Sequence, residues 1–373
     1  MFEKTKALCN SFLDMGVPGF DLIAYKDGQC ILRHMGGFSD MEQQIPIQGN
    51  EKYNIYSCSK PITVTAAMQL WEKGLFDLED ELARYMPEFR EMTVQTENGI
   101  VPATVPIRIR HLFEMTAGFS YALRSPHLLA LREATGDVCP TREVARALAK
   151  EPLLFQPGDQ YHYSLCHDVL AALVEVLSGQ LFADYVHQHI FQPLGMENSY
   201  FLLPKARYDE VSAHYTFDTA LGKSVPRSKW PVYRLGTEHA SGGAGCVSTV
   251  EDYIKFTEAL RSGEKLLKRD TIRLMTTDRL TDHQKRTYGS ASVCGYGLGM
   301  RAPIPGYPRQ DYGWGGAAGA YLAIDEGNGI SLFYAQHLIN SPNQGLRGQL
   351  YTKLLEDLGI TATHTVTDGK LTY

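Results

Sequence analysis

Apolar and polar positions alternate differently along the chain, with strand-like patterns near both ends and helical patterns between them. Apolar residues recur at helical spacing between Phe2 and Leu13, which predicts a first helix. The stretch 20–40 then carries strand-forming residues on both sides of the Asp-Gly pair at 27–28, a sequence typical of a tight hairpin. The N-terminal part therefore predicts a helix followed by two antiparallel strands.

The middle of the chain favours helices. From Pro61 to about Leu82 the pattern is helical and so apolar that we expect a buried helix, which Gly74 is placed to end. Helical runs interrupted by Pro-Gly and Gly-Gln pairs fill 105–200. This part predicts a helical lobe.

Strand patterns return in the C-terminal part. Before them, the segment from Ser248 to Glu251 resembles a capping box and predicts the start of another helix. Strand-like runs occupy 295–300, 320–324 and 330–336, and an amphipathic helix is expected near 348–358.

This order of elements predicts an α+β fold, in which an antiparallel sheet is flanked by N- and C-terminal helices and a helical lobe is inserted in its middle. We expect residues 1–55 and 235–373 to form the sheet region and residues 56–234 a mostly helical region. The two would form a single unit with the active site between them.

Composition and charge limit the classes of molecule that this protein is expected to bind. The chain has 373 residues, 44% of them hydrophobic, and a formal net charge of −6 without a basic stripe, so nucleic acid is not an expected partner. No apolar run approaches the roughly 18 residues of a membrane span, and the N-terminus lacks the apolar core of a signal peptide. We therefore expect a cytoplasmic protein with no membrane partner.

Cysteine and histidine spacing gives no sign of a metal or cofactor. The seven cysteines are scattered, without a C-x-x-C pair, and are expected to be free thiols. His187 and His189 lie on different sides of a predicted helix and are expected on the surface.

The clearest candidate chemistry is the pair Ser57 and Lys60. Because Pro61 is tolerated only in the first turn of a helix, the helix should begin close to Ser57, where the helix dipole favours a developing oxyanion. Residues three apart share a helix face, so the lysine amine can reach the serine hydroxyl. Burial can lower the pKa of a lysine, which would let Lys60 act as base or proton relay to a serine nucleophile.

The spacing alone is not decisive. A second S-x-x-K occurs from Ser262 to Lys265, in polar surroundings with Gly263, where an ordinary surface turn is expected. Cys58, next to the candidate nucleophile, points about 100° away from it along the helix and is expected to be a buried structural cysteine.

Other segments lie where the same chemistry would need them. Tyr163 stands between a Pro-Gly turn and a predicted helix, and Gly315 and Gly316 stand at the start of a strand, where a backbone amide can approach a ligand closely. His162 and His167 flank Tyr163 and either shape the pocket or pack in the core.

Seven segments between about residues 18 and 345 resemble one protein family when taken together: YSCSKPITVTAAMQLWEKGLFDLEDELARYMPEF, IRHLFEMTAGF, PGDQYHYSL, QPLGM, GGAGCVSTVEDY, GYGLGM and WGGAAG. They are similar to the serine β-lactamase and penicillin-binding-protein superfamily, in particular its class C-like branch, which includes the family VIII carboxylesterases. The resemblance implies a β-lactamase/transpeptidase-like fold. It also implies that Ser57 is the acylated nucleophile, Lys60 its proton-accepting partner and Tyr163 the proton shuttle to the leaving group.

The resemblance further implies an oxyanion hole formed by the backbone N–H groups of Ser57 and Ala317. Such a donor is typically worth about 10² to 10³ in rate. The third family motif falls on Trp314, Gly315 and Gly316, which are expected to line the substrate pocket.

Two departures from the family pattern bear on the substrate. Leu165 stands where β-lactamases usually have an asparagine that recognises an amide, and Trp314 stands where they usually have a cation that attracts a carboxylate. Both changes replace polar recognition by apolar surface in the expected pocket. They resemble the esterase branch and make efficient β-lactam hydrolysis doubtful.

The leading hypothesis is therefore a serine hydrolase that cleaves small carboxylic esters through an acyl-enzyme on Ser57, without a cofactor. An amidase or D-amino peptidase, a β-lactamase or a transacylase would use the same acyl-enzyme on an ester or amide, and a catalytically silent ligand-binding homologue is a further alternative. No G-x-S-x-G elbow is present, which argues against an α/β-hydrolase. The loops Tyr121 to Ala134 and Leu203 to Glu238 are expected to shape the pocket, and the oligomeric state stays open.

Overall fold

Strands lie towards both ends of the chain and helices fill the middle. The computed structural model describes residues 1–263, 265–306 and 309–361. The strands are β1 (Gly19–Lys26), β2 (Gln29–Asp40), β3 (Ile45–Pro46), β4 (Tyr53–Asn54), β5 (Thr93–Thr96), β6 (Gly99–Pro102), β7 (His214–Asp218), β8 (Lys223–Arg227), β9 (Val247–Ser248), β10 (Gly295–Tyr296), β11 (Arg301–Ala302), β12 (Tyr321–Asp325), β13 (Ile330–Gln336) and β14 (Leu338–Ile339).

The helices are α1 (Glu3–Asp14), α2 (Ser59–Glu72), α3 (Ile109–Phe113), α4 (Pro126–Thr135), α5 (Thr141–Leu148), α6 (Cys166–Ser178), α7 (Phe182–Val186), α8 (Gln192–Leu194), α9 (Val250–Ser262), α10 (Arg269–Met275), α11 (Asp282–Lys285) and α12 (Gln349–Asp357). The turn Tyr56–Cys58 leads directly into α2.

The central sheet has five strands in the order β12-β13-β1-β2-β3, and all its pairings are antiparallel. Leu22 pairs with Tyr334, and both point into the core layer formed with α1 and α12. The next pair, Ile23 and Phe333, points to the other side, where Phe333 stacks on Tyr253 of α9 at 4.0 Å between ring centroids. Because helices cover both faces, β13 is buried along its whole length, without the alternation of a half-exposed strand.

These features confirm the predicted α+β class, with a sheet flanked by the first and last helices. The predicted hairpin is also confirmed, because Asp27 and Gly28 link β1 to β2 with positive φ angles of 50° and 80°. The first turn of α2 contains Pro61, as the sequence predicts.

Two predicted helix boundaries were wrong. The helical pattern expected up to about Leu82 stops at Glu72, where α2 ends; Gly74, with a left-handed φ of 72°, turns the chain away and ends the helix, as the sequence predicts. Most of the apolar residues beyond it are buried although the backbone there is not α-helical. Their hydrophobic pattern therefore resembles that of a buried helix. The N-cap of α9 is Thr249, whose side chain accepts the N–H of Asp252 at 3.1 Å, because Ser248 belongs to strand β9.

The proposed division into a sheet region and a helical region stays a prediction. Helices α3 to α8 lie within its helical part, as does the hairpin β7–β8, which pairs with β14 near the C-terminus.

Among the described residues, no single helix has the length and apolar composition of a membrane span, although the segments Cys166–Ser178 and Phe182–Leu194, bent by 79° to each other, meet those two criteria as a pair.

Candidate active site

Ser57 lies in the 3-10 turn that opens α2 and is 8% exposed. The residue before it, Tyr56, has a φ of 47°, a left-handed conformation that costs free energy for a bulky side chain. Burial of the Tyr56 ring holds this conformation, since its hydroxyl lies 3.4 Å from Nε2 of His214. Ser59 fixes the same turn by donating from Oγ to the Tyr56 carbonyl at 2.5 Å. The turn therefore presents Ser57 from a rigid backbone.

Lys60 is wholly buried beside the serine. Its Nζ lies 3.4 Å from Ser57 Oγ and donates to the carbonyl oxygen of Gly243 at 2.8 Å. The same nitrogen lies 4.5 Å from the centroid of the Tyr163 ring, a distance at which an aromatic face attracts a cation. The structure thus brings together the two residues that the spacing placed on one helix face, and Tyr163 with them.

Tyr163 stands in the loop just before α6. Its hydroxyl accepts a hydrogen bond from Nε1 of Trp314 at 3.2 Å, and the two rings stack at 5.7 Å. In the part of the chain that the structure describes, this hydroxyl makes no hydrogen bond to Ser57. Trp314 is 2% exposed, so it holds Tyr163 in place while contributing no charge to the pocket.

Two further tyrosines complete an aromatic wall that sequence reasoning did not assign to the site. The Tyr121 ring stacks on Tyr163 at 5.6 Å, and Tyr233 meets Tyr121 edge-on at 5.6 Å. Burial raises the pKa of Tyr121 well above the usual value, so it stays protonated. Both residues come from the two loops expected to shape the pocket, but no spacing or motif distinguishes them there.

The segment Trp314 to Ala317 approaches the nucleophile through its backbone. A Cβ on Gly316 would lie 2.3 Å from the carbonyl oxygen of Ile55, so only glycine allows this contact. Ala317 then packs against the small cluster that contains Tyr56. In the described ranges the Ala317 N–H has no acceptor, and the N–H of Ser57 lies in a first helical turn, where no intrahelical partner exists. Both amides therefore lack a backbone acceptor in the described ranges, and their role as an oxyanion hole stays a prediction.

The remaining predicted pocket residues are less exposed than expected. Leu165 is 1% exposed and belongs to the main core, and Gly315 is bridged to Tyr321. Of the two histidines beside Tyr163, His162 is exposed and His167 is buried, with burial and the charge of Lys60 lowering the pKa of His167 to about 3. His167 is therefore a neutral core residue.

Cys58 is buried as predicted, and burial raises the pKa of its thiol to about 12, so it is not a nucleophile at neutral pH. The second S-x-x-K spans residue 264, which lies outside the described residues, while Ser262 and Gly263 form the end of α9. In the described ranges, no group of three or more His, Cys, Asp and Glu side chains is arranged to hold a metal ion.

Comparison with known proteins relates this geometry to a family. A family model described as Beta-lactamase matches residues 7–353. Esterase EstB of Burkholderia gladioli is 27% identical over 360 residues, covering 88% of this chain and 87% of the esterase. The uncharacterized protein MT1414 of Mycobacterium tuberculosis is 28% identical over 325 residues, 80% of each chain.

Solved structures show the same fold. EstCE1, a hydrolase with promiscuous acyltransferase activity, matches with a TM-score of 0.77 at 25% identity, over 96% of this chain and 98% of that one. A LovD6 mutant of simvastatin synthase from Aspergillus terreus matches with a TM-score of 0.77 at 22% identity, over 94% of each chain. The predicted β-lactamase/transpeptidase-like fold and superfamily are confirmed, and the chain belongs to the β-lactamase family.

Proposed function

We propose that this chain is a serine hydrolase that cleaves small carboxylic esters through an acyl-enzyme on Ser57. The observation that carries the proposal is the contact of 3.4 Å between Ser57 Oγ and Lys60 Nζ, beside the rings of Tyr121 and Tyr163. The similarity to esterase EstB over most of both chains supports an ester as substrate.

Acylation begins when Lys60, free of its extra proton, accepts the Ser57 proton as the serine oxygen attacks the ester carbonyl. The new bond joins Oγ to the carbonyl carbon, and the electron pair of the carbonyl moves onto its oxygen. The N–H groups of Ser57 and Ala317 donate to this oxyanion. The ester bond then breaks, and the leaving alcohol takes a proton that passes from Lys60 through the Tyr163 hydroxyl.

Deacylation repeats these steps with water as the nucleophile. Water gives one proton to the tyrosine and lysine pair, its oxygen attacks the acyl carbon, and the proton returns to Ser57 Oγ as the acid leaves. Tyr163 is held for this exchange by its contacts with the Trp314 ring and indole N–H.

The aromatic walls favour esters over charged substrates. Trp314 offers no cation to a substrate carboxylate, and the apolar faces of Tyr121 and Tyr163 suit an apolar acyl or alcohol group. We therefore infer that anionic β-lactams are poor substrates. Acyl transfer to an alcohol is a second outcome of the same acyl-enzyme, and the acyltransferase activity of EstCE1 favours testing it.

The proposal is tested by intact-protein mass spectrometry during incubation with p-nitrophenyl butyrate. We expect a butyryl adduct on the wild-type chain, with release of p-nitrophenol. In Ser57→Ala the adduct should be absent and turnover should fall by about 10⁴ or more. Added 1-butanol would reveal acyl transfer through formation of butyl butyrate.

The chain offers a matched control in its second S-x-x-K. Ser262 lies at the end of helix α9 and, like Ser57, stands three residues before a lysine. Ser262→Ala should retain full turnover. Turnover that survives in Ser57→Ala, or an adduct mapped to another residue, would contradict the proposal.

A further inference from the structure

A buried carboxylate lies behind the candidate catalytic lysine and has no part in the reaction described above. Asp168, on α6, is 2% exposed. Its Oδ1 accepts a hydrogen bond from Ser241 Oγ at 2.6 Å. Its Oδ2 has no hydrogen-bond partner within the described part of the chain. A charged group enclosed in this way needs compensation from its surroundings.

The first source of compensation is the segment that follows His239, here called the glycine-rich loop, which contains Gly242, Gly243 and Gly245. His239 Nδ1 accepts the N–H of Leu235 at 3.0 Å, and Nε2 of the same ring lies 3.2 Å from Asp168 Oδ1. Ser241 Oγ, which donates to Asp168, also accepts the N–H of Ala244 at 3.1 Å. The carboxylate therefore fixes the loop through its hydrogen bond with Ser241, and His239 lies against the same carboxylate.

The same loop also forms hydrogen bonds with helix α2, which carries Lys60. The carbonyl of Gly243 accepts from Lys60 Nζ at 2.8 Å, and the carbonyl of Gly242 accepts from Thr63 Oγ1 at 2.7 Å. Asp168 is thus linked to Lys60 by a hydrogen bond at Ser241, the backbone of residues 241–243 and a hydrogen bond at Gly243.

Asp168 and Lys60 also approach each other directly. A Cβ built on Gly243 would lie 2.8 Å from Asp168 Oδ2 and 3.4 Å from Lys60 Nζ. The carboxylate oxygen and the amine nitrogen are therefore no more than about 6 Å apart, since both lie close to the same point. A side chain at residue 243 would occupy the space between them, which gives a physical reason for glycine there.

Three other ionisable groups near Asp168 are uncharged at neutral pH. Burial lowers the pKa of His167 to about 3, raises that of Cys166 to about 11 and raises that of Tyr121 well above its usual value. His239 contacts the carboxylate directly. Burial raises the pKa of Asp168 itself, but His239, Ser241 and Lys60 outweigh this effect and lower it below the usual value. Lys60 is then the nearby group whose charge changes when Ser57 gives up its proton.

We propose that Asp168 is a positioning residue that fixes Lys60 through the loop and compensates the charge that Lys60 gains during acylation. The inference rests on the proposed function of the Ser57 and Lys60 pair. It assigns to the glycine-rich loop a role in holding the base.

The variant Asp168→Asn separates charge from shape, because the amide oxygen still accepts from Ser241. Without the carboxylate, the ammonium formed in the transition state loses its partner, and the plateau of kcat/KM should fall at least tenfold. A protonated Lys60 also becomes less favourable, so the acid limb of the profile should move to lower pH by about one to two units, from charges about 6 Å apart at an effective dielectric constant near 20. A purely structural defect would lower the plateau without moving the limb.

Two further variants complete the test. Ser241→Ala keeps the carboxylate but cuts its link to the loop, so kcat/KM should fall about tenfold with the acid limb unmoved. Asp252→Asn is a matched control, because Asp252 is also a buried carboxylate, accepting from the Asn198 N–H at 2.7 Å, but lies at the start of α9. It should leave both the plateau and the acid limb unchanged.

The profiles are measured from pH 5 to 10 with p-nitrophenyl butyrate, with acyl-enzyme mass and circular dichroism recorded for each variant. If the wild type forms the acyl-enzyme but the acid limb of Asp168→Asn does not move, this inference is overturned and the proposed function is not. A wild type that forms no acyl-enzyme would overturn the proposed function as well. If Asp168→Asn does not fold, Ser241→Ala decides the question, and unchanged kcat/KM in that variant would overturn the inference.

Discussion

As the pH falls, this protein should lose stability before most carboxylates begin to titrate, because several histidines are buried as neutral rings. Burial lowers their pKa values, to about 3 for His111, His167 and His337 and to about 2 for His214. His214 and His337 stack at 4.1 Å between ring centroids, and Nε2 of His337 accepts the N–H of Asn54 at 3.2 Å. A proton on that nitrogen would break the hydrogen bond.

The sign and size of the effect follow from linkage. In the unfolded chain each histidine has a pKa of about 6.5, so its contribution to stability is fully present above that pH and is lost as the pH falls towards the folded value. Each histidine contributes a slope of about 1.4 kcal/mol per pH unit. Four would give about 5 to 6 kcal/mol per unit.

Two carboxylates act in the opposite direction. Burial raises the pKa of Asp21 to about 7, in spite of its ion pair with Arg33 at 2.7 Å, and burial raises the pKa of Glu175. In acid the folded state therefore takes up protons at these groups before the unfolded state does. The net difference is two to three protons, so stability should fall by about 3 to 4 kcal/mol between pH 6 and pH 5.

The measurement is equilibrium unfolding in urea, followed by far-UV circular dichroism, at pH 7.5, 6.0, 5.5 and 5.0. His337→Gln should lower stability at pH 7.5 and reduce the slope between pH 6 and 5 by about 1.4 kcal/mol per unit. The exposed His187 provides the control, because His187→Gln should leave the slope unchanged. A wild-type change below about 1 kcal/mol across this interval would refute the reasoning.

Three other predictions concern the site and its surroundings. Gly316→Ala should lower kcat at least a hundredfold, because its Cβ would lie 2.3 Å from a backbone oxygen just before the nucleophile, and steady-state kinetics near the wild-type value would contradict the glycine requirement. Trp314→Phe removes the indole N–H that donates to Tyr163 at 3.2 Å but keeps a ring for stacking, so kcat should fall about tenfold with little change in thermal unfolding; an unchanged kcat would exclude a positioning role for this hydrogen bond. Iodoacetamide should alkylate the exposed Cys30 and spare the buried Cys58 in the native protein, as peptide mass mapping would show, and rapid labelling of Cys58 would refute its burial.

The sequence was informative where local rules dominate. The Asp-Gly turn, the apolar helix after Ser57 and the strand near Phe333 all have patterns that tertiary packing did not override. Gly74 was correctly placed at the end of α2, but the helical pattern was followed too far, to Leu82, because Phe76 and Leu78 are buried without being helical. A run of apolar residues indicates that the segment is buried. It indicates a helix only where no residue such as Gly74 ends the helix.

The tyrosines of the pocket could not be predicted for a related reason. Tyr121 and Tyr233 stand on loops, where no periodicity fixes the direction of a side chain, and their contact joins segments more than a hundred residues apart. The strained φ of Tyr56 likewise leaves no trace in the sequence, because tyrosine is not a residue that favours this conformation.

The surroundings of Lys60 change the explanation for its position. Burial in an apolar helix was the reason that the sequence offered for a reactive lysine beside a serine. The structure adds groups that attract a cation: the Gly243 carbonyl at 2.8 Å, the Tyr163 ring at 4.5 Å and the Asp168 carboxylate behind them. A base in this setting is prepared to receive a proton and hold its charge, because the partners of the resulting ammonium are in place before the reaction begins. The enclosure of the lysine and its polar contacts therefore belong to one arrangement, in which the protein replaces the water that a free ammonium would need.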